Sequence, residues 1–316
     1  MAATAAVPDA QAATLKLMEA FSRSWSDRVA VRKERLDLTQ YYDKSIPDFP
    51  IEIIPFARDP EFTGVVEQAG TEARLRYLAA TWIAYNERVI FVEDDLVQPL
   101  CGLLRKHALP GVLDARVQEV VAQVQVDEQF HTLMCLEVCN SARERHQLHG
   151  YVLPEPLLAR RMKARLAAHG TPHDHALIRM AYAAISEATI HEYLRLLSSN
   201  ETIQPVNRMH TEMHRRDESA HGPVFIELTR SVFRGLDAGA QGRFLVFFTD
   251  ALRDSTEIDI GFWASTLPYL QQRDWNPFVD RITQELSGKR IRRDYGVLVP
   301  LLDDLGIRDK IEFSFS

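Results

Sequence analysis

Cysteine is scarce: three residues, Cys101, Cys135 and Cys139, in a chain of 316. An odd, sparse count excludes a disulfide framework and points to a reducing compartment, so a cytoplasmic location is expected. Cys135 and Cys139, four apart, read as small buried apolar residues. No run approaches the roughly 18 consecutive apolar residues of a membrane span. The first residues, Met-Ala-Ala-Thr-Ala-Ala-Val-Pro-Asp, lack a basic stretch followed by a sustained apolar run, so no signal peptide is read there. Positive charge is not in excess: the formal net charge is -7 and the pI about 5.9, which argues against nucleic acid or an anionic membrane as the main partner. A Gly-rich phosphate loop and a G-x-S-x-G elbow are missing too. Without a flavin or nicotinamide fingerprint, neither cofactor is expected to be bound.

What is present is helix. Hydrophobic residues make up 46% of the chain, enough for a sizeable core. Residues 1–9 are small and expected to fray, with a helix over roughly 10–25. Residues 38–60 hold Pro47, Pro50, Pro55 and Pro60 among aromatics and read as an extended, packed connection. Long helices are predicted over about 70–106, with a stop or kink at Pro99, then 114–146, 172–198 and 205–233, with a kink at Pro223. Shorter ones are expected near 155–168, 238–254, 256–271, 276–287 and 294–305, and the tail from Lys310 as a short strand or extended arm. Four long helices with short additions predict an all-α bundle, one domain over 1–316.

Two of the long helices carry the same five-residue pattern, Asp127-Glu128-Gln129-Phe130-His131 and Asp217-Glu218-Ser219-Ala220-His221. Glu and His at i, i+3 project from one helix face, so each copy is half of a metal site. Chance alone would supply about one Glu-x-x-His in such a chain, so a single copy would be weak. The doubling, the shared Asp and two further carboxylates make it specific. Glu93 and Glu187 lie in apolar helical surroundings, where a charge is costly to bury without a partner. The order along the chain is then Glu, Glu-x-x-His, Glu, Glu-x-x-His, the ligand pattern of ferritin-like di-iron bundles.

Carboxylates with imidazoles suit iron, with manganese as a possible substitute, rather than zinc. Asp127 and Asp217 could accept hydrogen bonds from ligand imidazoles on the facing helix, or be solvated acids. His214 shares the face of Glu218 and His221, and spacing leaves it equally a third histidine ligand or a residue packed beside the ligands. His191 and His210 read as packing or hydrogen-bonding residues. His107, His146, His149, His169, His173 and His175 fall near helix ends or loops.

Stretches around these residues resemble the p-aminobenzoate N-oxygenases: Trp82-Ile-Ala-Tyr-Asn-Glu-Arg-Val-Ile, Val126-Asp-Glu-Gln-Phe-His-Thr, Thr202-Ile-Gln-Pro and Arg216-Asp-Glu-Ser-Ala-His-Gly. The resemblance runs from about Pro47 to Ile311-Glu-Phe. It implies a ferritin-like di-iron bundle with added helices, a homodimer, and seven ligands: Glu93, Glu128, His131, Glu187, His214, Glu218 and His221. It also implies that Tyr85 and Arg293 hold a substrate carboxylate. The activity it implies is O2-dependent oxidation of an amine to hydroxylamine, nitroso and nitro products in a natural-product pathway, with electrons from an external donor.

His191, His210 and Tyr193 depart from the residue types of the family's arylamine enzyme and are expected to reshape the substrate pocket. Those departures leave other readings open: a hydrazine or aliphatic amine as substrate, C–H hydroxylation, or a non-catalytic metal-binding bundle.

Overall fold

The computed structural model describes residues 6–33 and 35–315. The first helix, α1, spans Ala6–Arg28 and begins earlier than predicted. Pro8 sits in its first turn, where the missing N–H costs no hydrogen bond. Of the segment expected to fray, residues 1–5 lie outside the described residues. The proline-rich connection buries Phe49, Ile54 and Phe56 and contains one short 3-10 turn, Ile51–Ile53. It ends in a helix that the sequence reading placed no boundary for, α2 (Pro60–Gln68), capped by Asp59 and opened by its proline.

The predicted 70–106 helix is interrupted, but ahead of Pro99. Helix α3 (Thr71–Phe91) passes into a π-helical turn, Val92–Val97, and continues as α4 (Gln98–Arg105), with Pro99 in the first turn of α4. The wide turn supplies the break, so the proline sits where no interior hydrogen bond is lost. Helix α5 (Ala115–His146) starts at Asp114, whose carboxylate accepts from the Arg116 N–H, and stops at Gln147, with φ of 54°. Short α6 (Leu157–Ala168) leads to α7 (Pro172–Ser198), capped by Thr171, and then to α8 (Pro205–Gly235). Pro223 is accommodated inside α8 without ending it.

Asp237 caps α9 (Ala238–Thr256). Three short helices complete the chain: α10 (Ile260–Ala264), α11 (Asn276–Glu285) and α12 (Leu298–Asp304). The segment expected as one helix over 256–271 is therefore broken, and the tail is extended after a 3-10 turn at Arg308–Lys310. Among the described residues there is no strand, only one isolated bridge between Glu257 and Arg290. No described helix is long and apolar enough to cross a membrane.

The fold is an all-α, ferritin-like bundle. Its two central hairpins are α3 with α5 and α7 with α8, and α5 also meets α8 across the middle. Gly222 marks a close approach within the second hairpin: a Cβ there would stand 3.4 Å from the Glu187 carbonyl oxygen. Helix α1 lies over α5 and α8 together. Two apolar clusters flank the bundle's polar middle, one built around Leu100, Ile178 and Phe225, the other around Trp82, Phe49 and Trp263.

Candidate metal centre

Each long helix contributes at the same depth. Glu93 comes from the π-helical turn after α3. Its carbonyl accepts the Gln98 N–H, five residues on. The turn is held from outside: Thr132 donates to Asp94 at 3.0 Å, and Arg179 to the Asp95 carbonyl at 2.7 Å. Asp94 and Asp95 stay exposed while Glu93 turns inward. Helix α5 supplies Glu128 and His131, α7 supplies Glu187, and α8 supplies His214, Glu218 and His221. These residues are at most 2% exposed.

The structure brings all seven into one cluster, falling into three overlapping groups whose ligand-type atoms lie within 4.8 Å of one another. Glu128 presents one oxygen to each paired histidine: Oε2 is 2.8 Å from His131 Nδ1, and Oε1 is 2.9 Å from His221 Nδ1. Glu218 Oε1 lies 3.3 Å from His131 Nδ1, 3.4 Å from His221 Nδ1 and 3.1 Å from His214 Nε2. Glu128 and Glu218 thus each lie between the histidines of α5 and α8. Glu93 reaches toward His214 at 3.6 Å, and Glu187 toward His221 at 3.9 Å, one at each side.

This cluster has the donor set to hold cations. Four desolvated carboxylates face one another, and among the described residues no Lys or Arg pairs with any of them. Each keeps an oxygen without a hydrogen-bond donor: Glu93 Oε2, Glu128 Oε1, Glu187 Oε2 and Glu218 Oε2. His221 Nδ1 is also unpartnered although Glu128 Oε1 is close, the relation expected of two atoms bound to one ion. Unsatisfied buried charges of this kind are costly. Four carboxylates match the charge of two divalent ions, and the mixed O/N donor set suits iron. The residues fit a carboxylate-bridged pair of ions.

Without ions the cluster can relieve its repulsion only with protons. Burial, then the charges of Glu128 and Glu218, push the Glu93 carboxyl well above its usual range. Burial and the same two neighbours, Glu218 foremost, do so for Glu187. Burial also opposes ionisation of Glu128, but the adjacent His221 and His131 together outweigh it and hold the carboxyl at about 2. His131 and His221 are raised well above normal; burial opposes this, and the carboxylates around them prevail.

The far side of each paired imidazole meets an aspartate of the other helix. His221 Nε2 on α8 is 3.1 Å from Asp127 on α5, and His131 Nε2 on α5 is 3.2 Å from Asp217 on α8. Both aspartates are fully buried, so the solvated-acid alternative does not hold. Each aspartate is placed to accept the Nε2–H of its imidazole, with Nδ1 facing the centre. Asp217 also accepts the Ala30 N–H at 3.0 Å, and Asp127 accepts the Trp25 indole N–H at 2.9 Å.

A cavity of about 760 Å³ opens onto Glu93 and Glu187 and is walled by Val89, Val92, Ile190, Leu196 and Trp263. Tyr85, Tyr193 and Arg293 line it, the two tyrosine rings stacked at 5.5 Å. The Tyr85 hydroxyl is buried without a partner. Arg293 donates from Nη2 to the Ser255 carbonyl, while its Nε is buried and unpartnered. Burial and the nearby Arg88 guanidinium lower the Arg293 pKa to about 10.

Sequence reading missed Arg88, which lines the same cavity. Its signal was available: a cation three residues after Tyr85, on the same helix face.

The structure does not bring His191 or His210 to the cavity wall. His191 faces Arg215 at 3.2 Å. His210 is enclosed by Asn86 at 3.2 Å, Cys135 at 3.8 Å and the Trp82 edge, and burial lowers its pKa to about 3. Both point away from the cavity because their helices present another face there. Of the three departing residues, only Tyr193 reaches it.

A sequence profile described as "P-aminobenzoate N-oxygenase AurF" matches residues 12–306. The chain is also 30% identical, over 296 residues, to the 4-aminobenzoate N-oxygenase of Streptomyces thioluteus, covering 93% of this chain and 87% of that one.

Proposed function

Because the chain belongs to the p-aminobenzoate N-oxygenase family, we propose that it is a non-haem di-iron enzyme oxidising the nitrogen of a carboxylate-bearing arylamine with O2. The observation that carries the substrate class is the pair of unsatisfied donors, Arg293 Nε and Tyr85 Oη, in the cavity that reaches Glu93 and Glu187. A guanidinium N–H and a hydroxyl buried without partners are a costly arrangement unless an anion completes it. A carboxylate does so, and Arg88 adds a second cation to the same wall.

When bound, the iron pair supplies the oxygen-activating redox chemistry. The seven side chains Glu93, Glu128, His131, Glu187, His214, Glu218 and His221 would hold it, and Asp127 and Asp217 would orient two of the imidazoles. The protein's other tasks fall to the cavity. Arg293 and Tyr85 hold the carboxylate end, which directs the amino group toward the carboxylate cluster. Tyr193 stacked on Tyr85 sets a flat aromatic wall suited to an aryl ring. Val89, Val92, Ile190 and Trp263 keep water from the reacting end. A flat wall favours an arylamine over an aliphatic amine or hydrazine.

An external one-electron donor completes the cycle. The homodimer implied by the family has a candidate face on α5, where Val126, Leu133 and Leu136 are exposed at heptad-like spacing. Three buried free thiols suit a cytoplasmic setting.

The test is iron analysis with single-turnover chemistry. Protein loaded anaerobically with Fe(II), then given O2 and p-aminobenzoate, should contain about two iron atoms per chain. It should yield a product with oxygen on nitrogen, and aniline should react far more slowly. One metal per chain, or no N-oxygenated product from any carboxylate-bearing arylamine, would refute the reading.

A further inference from the structure

The two outer aspartates are not equivalent. Asp217 is completed by the Ala30 backbone N–H, with Arg28 Nη1 at 3.7 Å. Asp127 is completed by a side chain that can exchange electrons: Trp25 Nε1 lies 2.9 and 3.1 Å from its two oxygens. Asp127 in turn meets His221 Nε2 at 3.1 Å, and His221 Nδ1 faces the centre of the cluster. A continuous hydrogen-bonded chain thus runs from an indole to the metal centre, through one carboxylate and one imidazole.

Trp25 is partly exposed on α1, between the exposed Ser24 and Ser26, so the chain begins at the surface. Other oxidisable rings near the centre are poorly placed for a protein donor. Tyr85 and Tyr193 line the substrate cavity, and Trp82 is fully buried.

We propose that Trp25 is the electron inlet of the di-iron centre, a role that rests on the metal reading above. A one-electron donor of the flavin or iron–sulfur class docks at the Trp25 end of α1 and is oxidised by one electron. That electron crosses Trp25, Asp127 and His221 and reduces one ferric ion to ferrous. Two such passages reset both ions, and no bond in the protein forms or breaks. The substrate cavity remains free for the amine and O2 while electrons arrive from the opposite side of His221.

The three native cysteines are buried, so a thiol introduced by Ser26→Cys can be labelled selectively with a ruthenium photoreductant. After a flash, bleaching of the ferric absorption reports electron arrival without any turnover. In that background Trp25→Phe, which keeps an aromatic ring but loses the N–H, should slow reduction about tenfold or more with iron content unchanged. Trp25→Tyr, an oxidisable ring whose hydroxyl can donate toward Asp127, should recover much of the rate.

Equal rates in all three proteins at equal iron content overturn the inference. A slow phenylalanine variant that tyrosine does not rescue overturns it too, and loss of iron from both variants would make Trp25 a packing residue only. Absence of iron from the Ser26→Cys parent would instead count against the metal reading itself.

Discussion

His221 on α8 hands its outer N–H to Asp127 on α5 across 3.1 Å, and the reverse pairing, His131 to Asp217, closes the same gap in the opposite direction at 3.2 Å. The two ligand helices are therefore cross-linked outside the cluster as well as through it. Each repeated Asp-Glu-x-x-His spends its Asp on the other copy's His. Replacing Asp127 or Asp217 by Asn keeps the size but removes the charge that fixes the imidazole. Metal affinity should fall by about 10–100-fold in either variant, measured by competition with a chelator. Unchanged affinity would reduce these aspartates to buried polar filler.

Glu187→Gln separates metal binding from folding. Burial and neighbouring carboxylates favour the protonated form of Glu187 in the metal-free chain, so a neutral amide should be tolerated there. Metal-free stability in urea should stay within about 1 kcal/mol of the parent, while iron content drops. A large loss of metal-free stability would show that Glu187 works as a structural residue.

Metal uptake should strengthen as pH rises. The folded-state pKa values of Glu93, Glu187, His131 and His221 are all raised, so the metal-free cluster carries protons that ions must displace. Lower pH favours the protonated, metal-free form; higher pH removes the competitor. Titration with Fe(II) in anaerobic, weakly buffered solution should release protons, and apparent affinity should climb between about pH 6 and about pH 8. A flat profile would contradict the charge state described here.

Arg293→Ala should raise KM for p-aminobenzoate by about tenfold or more, the loss expected for a charge-assisted hydrogen bond. It should leave the KM of a neutral aniline nearly unchanged. Arg293→Lys should not restore binding fully, because an ammonium lacks the planar fork and would lose the Ser255 contact made by Nη2. Equal effects on the charged and neutral amines would remove Arg293 from carboxylate recognition.

The helical segments and the cluster-forming residues were legible because both leave a one-dimensional trace. Periodicity marks α5, α7 and α8, and an i, i+3 pair on one helix face is visible without a partner helix. Glu93 was legible for another reason, an acid that directly follows the apolar stretch Val89-Ile90-Phe91-Val92. Contacts that depend on how distant segments meet were not legible. Nothing in Ser24-Trp25-Ser26 signals that the indole reaches Asp127, more than a hundred positions away. His210 shows the converse: it lies on the same helical stripe as His214, yet Trp82, Asn86 and Cys135 close around it and take it out of the cavity. The break between α3 and α4 was expected at the proline because proline is the familiar interrupter; a π-helical turn has no comparable residue signature.

That wide turn also bears on comparing this chain with its relatives. Val92–Val97 holds one residue more than an α-helical path would need, so everything after it is turned by about 100° relative to an unbroken helix. An alignment that runs through the segment without a gap will set the residues of α4 out of step with any relative that lacks the extra residue. Identities counted beyond the turn would then understate the likeness of the two chains.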